Sequence, residues 1–142
     1  MRKAFRVAPA VIVLFAGFQA STAVAQSTTY TITIDYPTNA STLIQGSNVQ
    51  ASGTIQVNPA TGTAPNQIKV VITDKGGNKY TATCGATQVP NAPGRYSWSA
   101  SVSLPSNAVS GQATCLVQGS TNGGTTYNAG AQQTTPYIAS GP

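Results

Sequence analysis

The run Arg95-Tyr96-Ser97-Trp98-Ser99-Ala100-Ser101-Val102-Ser103-Leu104 decides the fold. Tyr96, Trp98, Ala100, Val102 and Leu104 alternate with Ser97, Ser99, Ser101 and Ser103, a strict period of two. Successive side chains of a strand point to opposite faces, so this segment is a strand with one face in a core and the other in water. A single wetted face implies antiparallel pairing, because parallel sheets are covered on both sides. The sequence offers no helices to cover a parallel sheet.

Outward from this strand, the same alternation recurs. Residues 30–36 set Tyr30, Ile32, Ile34 and Tyr36 against Thr31, Thr33 and Asp35, and Pro37 ends the run. Residues 48–57 place Val49, Ala51, Gly53, Ile55 and Val57 on one face. Residues 67–74 carry Ile68, Val70 and Ile72, residues 79–84 carry Tyr80, Ala82 and Cys84, and residues 112–119 carry Ala113, Cys115 and Val117. A last strand is expected over 125–138, interrupted by Gly130 and Pro136. Seven strands separated by Gly, Pro, Asn and Ser clusters predict an all-β antiparallel sandwich. One register is also predictable. A two-residue Gly76-Gly77 hairpin would pair Ile72 with Thr81 and put the apolar sets on opposite sides, whereas an odd loop over 75–79 pairs Ile72 with Ala82 and Val70 with Cys84. The odd loop is expected, with a glycine or Asn78 supplying any positive φ.

The N-terminus reads as an export signal. Met1, Arg2, Lys3 and Arg6 precede an apolar run over 7–18, and Ala23-Val24-Ala25 supplies the small-x-small triplet for cleavage before Gln26. The run is too short to span a bilayer, and no second apolar stretch of membrane length follows. The expected organisation is therefore a signal peptide over 1–25 and one domain over 26–142, secreted or periplasmic, without membrane insertion after cleavage. Removing the leader also removes three of the seven basic residues. Lys69, Lys75, Lys79 and Arg95 then face Asp35 and Asp74, so the net charge of +5 falls to +2, four cations less two carboxylates. Four scattered cations do not form the basic stripe that nucleic acid requires, and no nucleic-acid partner is expected. Recurrent Val, Ile, Tyr and Thr in ordered alternation argue against a disordered chain despite the polar composition.

Cys84 and Cys115 are the only cysteines. Exported chains meet oxidising conditions, so an intramolecular bridge between them is expected, worth roughly 3 to 4 kcal/mol in the chain-entropy model. A redox-active pair would need a Cys-x-x-Cys spacing or a cation beside the thiol, and neither is visible.

The strand rhythm and turns over 32–138 resemble a bacterial immunoglobulin-like domain of exported surface and adhesin-type proteins. The resemblance rests on Thr33-Ile34-Asp35-Tyr36-Pro37, Val49-Gln50-Ala51-Ser52-Gly53-Thr54-Ile55, Ile68 to Asp74 followed by Gly76-Gly77-Asn78, and Tyr96-Ser97-Trp98. It implies an immunoglobulin-like antiparallel β-sandwich of about seven strands. Trp98 lies close before Cys115, and Ala113 stands where a tyrosine corner would need Tyr, so the pattern departs from antibody-type domains. The bridge would accordingly join the fourth and sixth strands rather than the second and sixth.

Reaction chemistry is scarce. Without histidine, Ser-His-Asp triads, Cys-His dyads and His-rich zinc sites are excluded. Asp35 and Asp74 are the only side-chain carboxylates; one alternates to a polar strand face and the other leads into a Gly-rich turn, so paired acid-base work is not expected. Calcium wants six to eight oxygens, which Asp74 and Asn78 do not supply. Gly76-Gly77 and Gly123-Gly124 read as turn glycines, since no phosphate-loop Lys-Ser/Thr or helix follows. Asn39-Ala40-Ser41 fits a glycosylation acceptor and reads as incidental. No catalytic residue, metal or cofactor is expected. Immunoglobulin-like order would gather the loops over 58–66, 85–94 and 119–124 at one end, with Asn58, Asn91, Arg95 and Asn122 as candidate ligand contacts. The expected role is a non-catalytic, adhesion-type binding or structural domain at the cell surface, its partner a protein or glycan of the cell envelope. A carbohydrate-binding module, drawing on Tyr127 and Tyr137 with Asn, Gln and Thr, is the first alternative, and a structural subunit of a fibre or surface layer the second.

Overall fold

A computed structural model describes residues 27–141. The expected signal peptide over 1–25 and its cleavage before Gln26 lie outside the described residues. Among the described residues eleven strands are formed: β1 (Thr29–Tyr36), β2 (Thr42–Ile44), β3 (Asn48–Asn58), β4 (Gln67–Thr73), β5 (Lys79–Cys84), β6 (Thr87–Gln88), β7 (Arg95–Ser103), β8 (Gly111–Gln112), β9 (Thr114–Ser120), β10 (Ala131–Thr134) and β11 (Tyr137–Ala139). They make three sheets ordered β1-β3-β7-β6, β10-β9-β4-β5 and β2-β11-β8.

The two four-stranded sheets share one core in a sandwich-like arrangement. Ile32, Val49, Ala51, Ile55, Trp98, Ala100 and Val102 come from the first, and Ile68, Val70, Ile72, Cys115 and Val117 from the second. Leu43 and Ile138 join them from the small third sheet. Fully burying one such aliphatic side chain stabilises by about 1.5–3 kcal/mol, so period-two alternation over several strands is what drives the layers together. Trp98 is 3% exposed and its Nε1 donates to the Thr54 carbonyl at 3.3 Å. Gly53 faces this ring because any Cβ there would strike the Thr33 carbonyl oxygen and come within 2.7 Å of Trp98 Cζ2.

The count of about seven strands is corrected to eleven among the described residues. The additional ones are short edge or closing segments, which carry too few residues to show a period. The strand expected over 125–138 is two strands. Pro136 has no N–H to continue a ladder, so β10 ends on β9, while β11 passes to the third sheet. There it runs parallel to β2, with Tyr137 opposite Thr42 and Ile138 opposite Leu43, a departure from the purely antiparallel expectation.

The β4–β5 hairpin has the odd loop, with Gly77 at φ 89°. Its register is displaced from the expected pairs: Ile72 opposes Tyr80, Val70 opposes Ala82 and Ile68 opposes Cys84. The cause is Asp74. Its carboxylate accepts from the Gly76 and Asn78 backbone N–H groups, which draws Asp74 into the loop and makes Thr73–Lys79 the closing pair.

Candidate functional site

Three of the longer connections leave the sheets at one end. β3 stops at Asn58 where β7 starts at Arg95, and β4 starts at Gln67 opposite the end of β9 at Ser120. Backbone bonds stitch the loops together: Val57 N donates to Gly94 O at 2.7 Å, and Asn66 N to Ser120 O at 2.9 Å. Asn66 does more, its Oδ1 accepting from Gly123 N at 3.0 Å and its Nδ2 donating to Thr121 O. Sequence reading passed over Asn66, since an Asn in a loop carries no periodic signal.

Asn58, Asn91 and Arg95 are exposed at this end, with Asn91 at φ 60° in the turn before β7. Asn122 is used inside its own loop. Its Oδ1 accepts from Ser120 Oγ at 2.8 Å and Thr126 N at 3.0 Å, and its Nδ2 donates to Thr126 Oγ at 2.8 Å. The 85–94 connection is partly strand: β6 pairs with β7, Thr87 opposite Ser97 and Gln88 opposite Tyr96.

A second feature lies on the outer face of the first sheet. An open trough of about 530 Å³ crosses it, lined by Asp35 on β1, Ser52, Gly53 and Thr54 on β3, Ser97, Trp98 and Ser99 on β7, and Thr87, Gly85 and Cys84 beyond. Register aligns hydroxyl-bearing residues in two rows that extend past the lining to Thr33 and Tyr36. Thr33, Thr54, Ser97 and Thr87 are successive partners across four strands, and Tyr36, Ser52 and Ser99 across three. The second row depends on a bulge. Pairing steps from Ile34–Gly53 to Tyr36–Ser52, leaving Asp35 as the extra residue. Strict alternation would send Tyr36 into the core with Ile34; the bulge instead sets it opposite outward-facing Ser52, and Tyr36 is 38% exposed. Tyr36, grouped by alternation with Ile32 and Ile34, thus leaves their face.

The other carboxylate is occupied by the fold. Asp74 is 4% exposed. Its Oδ1 accepts from Gly76 N, Asn78 N and Asn78 Nδ2, and its Oδ2 from Asn78 Nδ2, Tyr80 OH at 2.8 Å and Val109 N at 2.9 Å. Burial alone would raise its pKa. The hydrogen bonds from Val109, Asn78 and Tyr80 outweigh it and hold the carboxyl well below the usual carboxylate range. Tyr80 is pushed up, by burial and then by its bond to and charge repulsion from Asp74.

The expected Cys84–Cys115 bridge is not formed; both thiols are free. The two residues share a sheet, but β4 lies between them, Cys84 level with Ile68 and Cys115 level with Ile72. Two interstrand spacings and four residues along the strand put their Cα atoms roughly 16 Å apart. A disulfide needs about 4.4–6.8 Å. Burial pushes the Cys115 thiol up to about 11, with the Thr134 hydroxyl opposing, and also raises Cys84 against an opposing bond from the Ser99 backbone. Neither has the electropositive setting of a reactive thiolate.

Among the aromatics, Tyr137 is 51% exposed on β11, whereas Tyr127 is half-buried, its ring 4.3 Å from Lys69 Nζ and its hydroxyl donating to Gln67 Oε1. Asn39 of the glycosylation pattern spends its Oδ1 on Thr135 N at 2.9 Å. Among the described residues no group of three or more His, Cys, Asp or Glu is placed to hold a metal, and no helix is long and apolar enough to cross a membrane. The fold and these surfaces define an all-β, sandwich-like domain. No protein-family model matches the chain, and no curated protein matches it.

Proposed function

We propose that this chain is an exported immunoglobulin-like β-sandwich domain that binds or supports another component at the cell surface by contact, without performing a reaction. The observation that carries this reading is the convergence of three connections at one end of the fold, with Asn58, Asn91 and Arg95 exposed there. The leader-type N-terminus supports a secreted or periplasmic location, and with it a protein or glycan partner in the cell envelope. Asp74, with its oxygens filled by donors of its own turn and of Val109, is unsuited to the paired-carboxylate chemistry that two acids would otherwise allow. The carbohydrate-binding alternative is favoured by a separate observation, the hydroxyl-lined trough on the first sheet.

Fractionation of a bacterial host expressing the full chain tests the reading. The chain is expected outside the cytoplasm with an intact mass beginning at Gln26, and it should co-sediment with isolated envelope material. Replacing residues 88–92 by Gly and Ser should weaken co-sedimentation several-fold while the thermal transition stays cooperative. Full-length chain retained in the cytoplasm overturns the export reading, and co-sedimentation indifferent to the replacement overturns the loop end as the contact surface.

A further inference from the structure

The geometry points to the trough on the first sheet as a binding site for a neutral oligosaccharide, with Asp35 in its lining and Tyr36, the register partner of the lining Ser52, as the recognition pair. This inference deepens the contact reading and rests on it only in requiring a non-catalytic binder; the trough borders the loop end through Gly85 and Thr87 but is lined by none of Asn58, Asn91 and Arg95. The first reason is the bulge. It places a carboxylate and an aromatic ring side by side on the outer face, where regular pairing would have buried the ring. Bulges that re-aim side chains in this way accompany functional surfaces. No hydrogen bond or ion pair from the described residues engages the Asp35 carboxylate, while its counterpart Asp74 is saturated.

The chemistry of the lining selects the ligand. Adjacent hydroxyls of a sugar can both donate to one carboxylate, and the apolar C–H face of a pyranose ring suits the flat face of a tyrosine. Ser52, Thr54, Ser97 and Ser99 add hydroxyls that donate or accept as needed. No lysine or arginine lines the trough, and Asp35 repels anions, so phosphorylated and acidic sugars are disfavoured. An apolar ligand would find little to bury against. A peptide strand would find no backbone partners on this face, since the β1, β3 and β7 main chains pair within the sheet. The longer row runs across four strands for about 14 Å, three interstrand spacings, which fits a short chain of sugars rather than one.

Titration calorimetry and amide-shift mapping with soluble mannotriose, cellotriose, xylotriose and chitotriose test this on the processed chain. At least one should bind, with shifts centred on Ser52, Thr54, Ser97 and Ser99. Asp35→Asn and Tyr36→Ala should each weaken it by roughly tenfold or more, the loss of one well-made charge-assisted or stacking contact. Thr81→Ala, on the outer face of the second sheet, should stay within about twofold. If Tyr36→Ala does not fold, Asp35→Asn and the shift map on the unaltered chain carry the test. Binding that survives Asp35→Asn and maps elsewhere overturns the proposal, as does binding only to an acidic oligosaccharide or a peptide. Failure of all four sugars while envelope co-sedimentation persists overturns the trough alone; failure of both removes the contact reading as well.

Discussion

The turn after β4 and the bulge near the end of β1 each carry one of the chain's two carboxylates, and they treat it in opposite ways. At the turn, Asp74 is buried and takes hydrogen bonds from Gly76, Asn78, Tyr80 and Val109, tying the β4–β5 hairpin to the segment before β8. At the bulge, Asp35 is exposed beside Tyr36 and faces an open trough. An acidic residue in a strand-and-turn protein can thus be spent on folding or left for contact. The neighbours decide which: Gly76 and Asn78 offer backbone donors in a tight loop, whereas the extra residue of a bulge is left outside the ladder.

Asp74→Ala should break the contrast most severely. It takes the acceptor from several part-buried donors at once, and urea unfolding is expected to show a loss of about 3 kcal/mol. A loss under about 1 kcal/mol would mean the turn is not held this way. Acid should act in the same direction. Because the folded carboxyl sits below its unfolded value, its stabilisation is complete above the ordinary carboxylate range near pH 4 and is lost as pH falls below that toward the folded value. The thermal midpoint should fall on acidification, and Asp74→Asn should flatten that limb of the profile.

Tyr80→Phe comes next and should cost less than Asp74→Ala, since the carboxylate keeps its other donors. Its pH signature is opposite in sign. The folded phenol is raised, so its contribution is full below about pH 10 and is lost as pH rises beyond it. Comparing the alkaline limbs of the unaltered chain and the variant isolates that bond. Asp35→Asn should change stability by no more than about 0.5 kcal/mol while affecting any ligand in the trough. The smallest expected effect is that of reductant: with the cysteines held apart by β4, it should leave both melting temperature and intact mass unchanged, and a mass gain of two hydrogens would restore the bridge.

The parts legible from sequence are those set by period. Alternation in Tyr96 to Leu104 and Val49 to Val57 sorted core from surface, since a half-buried sheet accepts no other pattern. Loop parity in the β4–β5 hairpin was legible for the same reason, but its closing pair was not, because that depends on where the Asp74 side chain finds donors. Of the two surfaces, the gathering of the 58–66, 85–94 and 119–124 loops was expected only on an assumed strand order. The trough was not expected. Its Tyr36–Ser52–Ser99 row requires knowing that β1 slips by one residue at Asp35, and nothing in Ile34-Asp35-Tyr36-Pro37 announces a bulge rather than one more alternation.

By itself, the sequence determined that the chain is all-β, which faces of its main strands are buried, and that few ionisable groups are available for any reaction. Those properties are local or compositional, and the hydrophobic effect enforces them residue by residue. Tertiary structure alone decided the parallel β2–β11 pair, the separation of Cys84 from Cys115, and the outward turn of Tyr36. Each depends on which strands become neighbours and in what register, and pairing across a sheet is fixed by contacts between segments far apart in the chain.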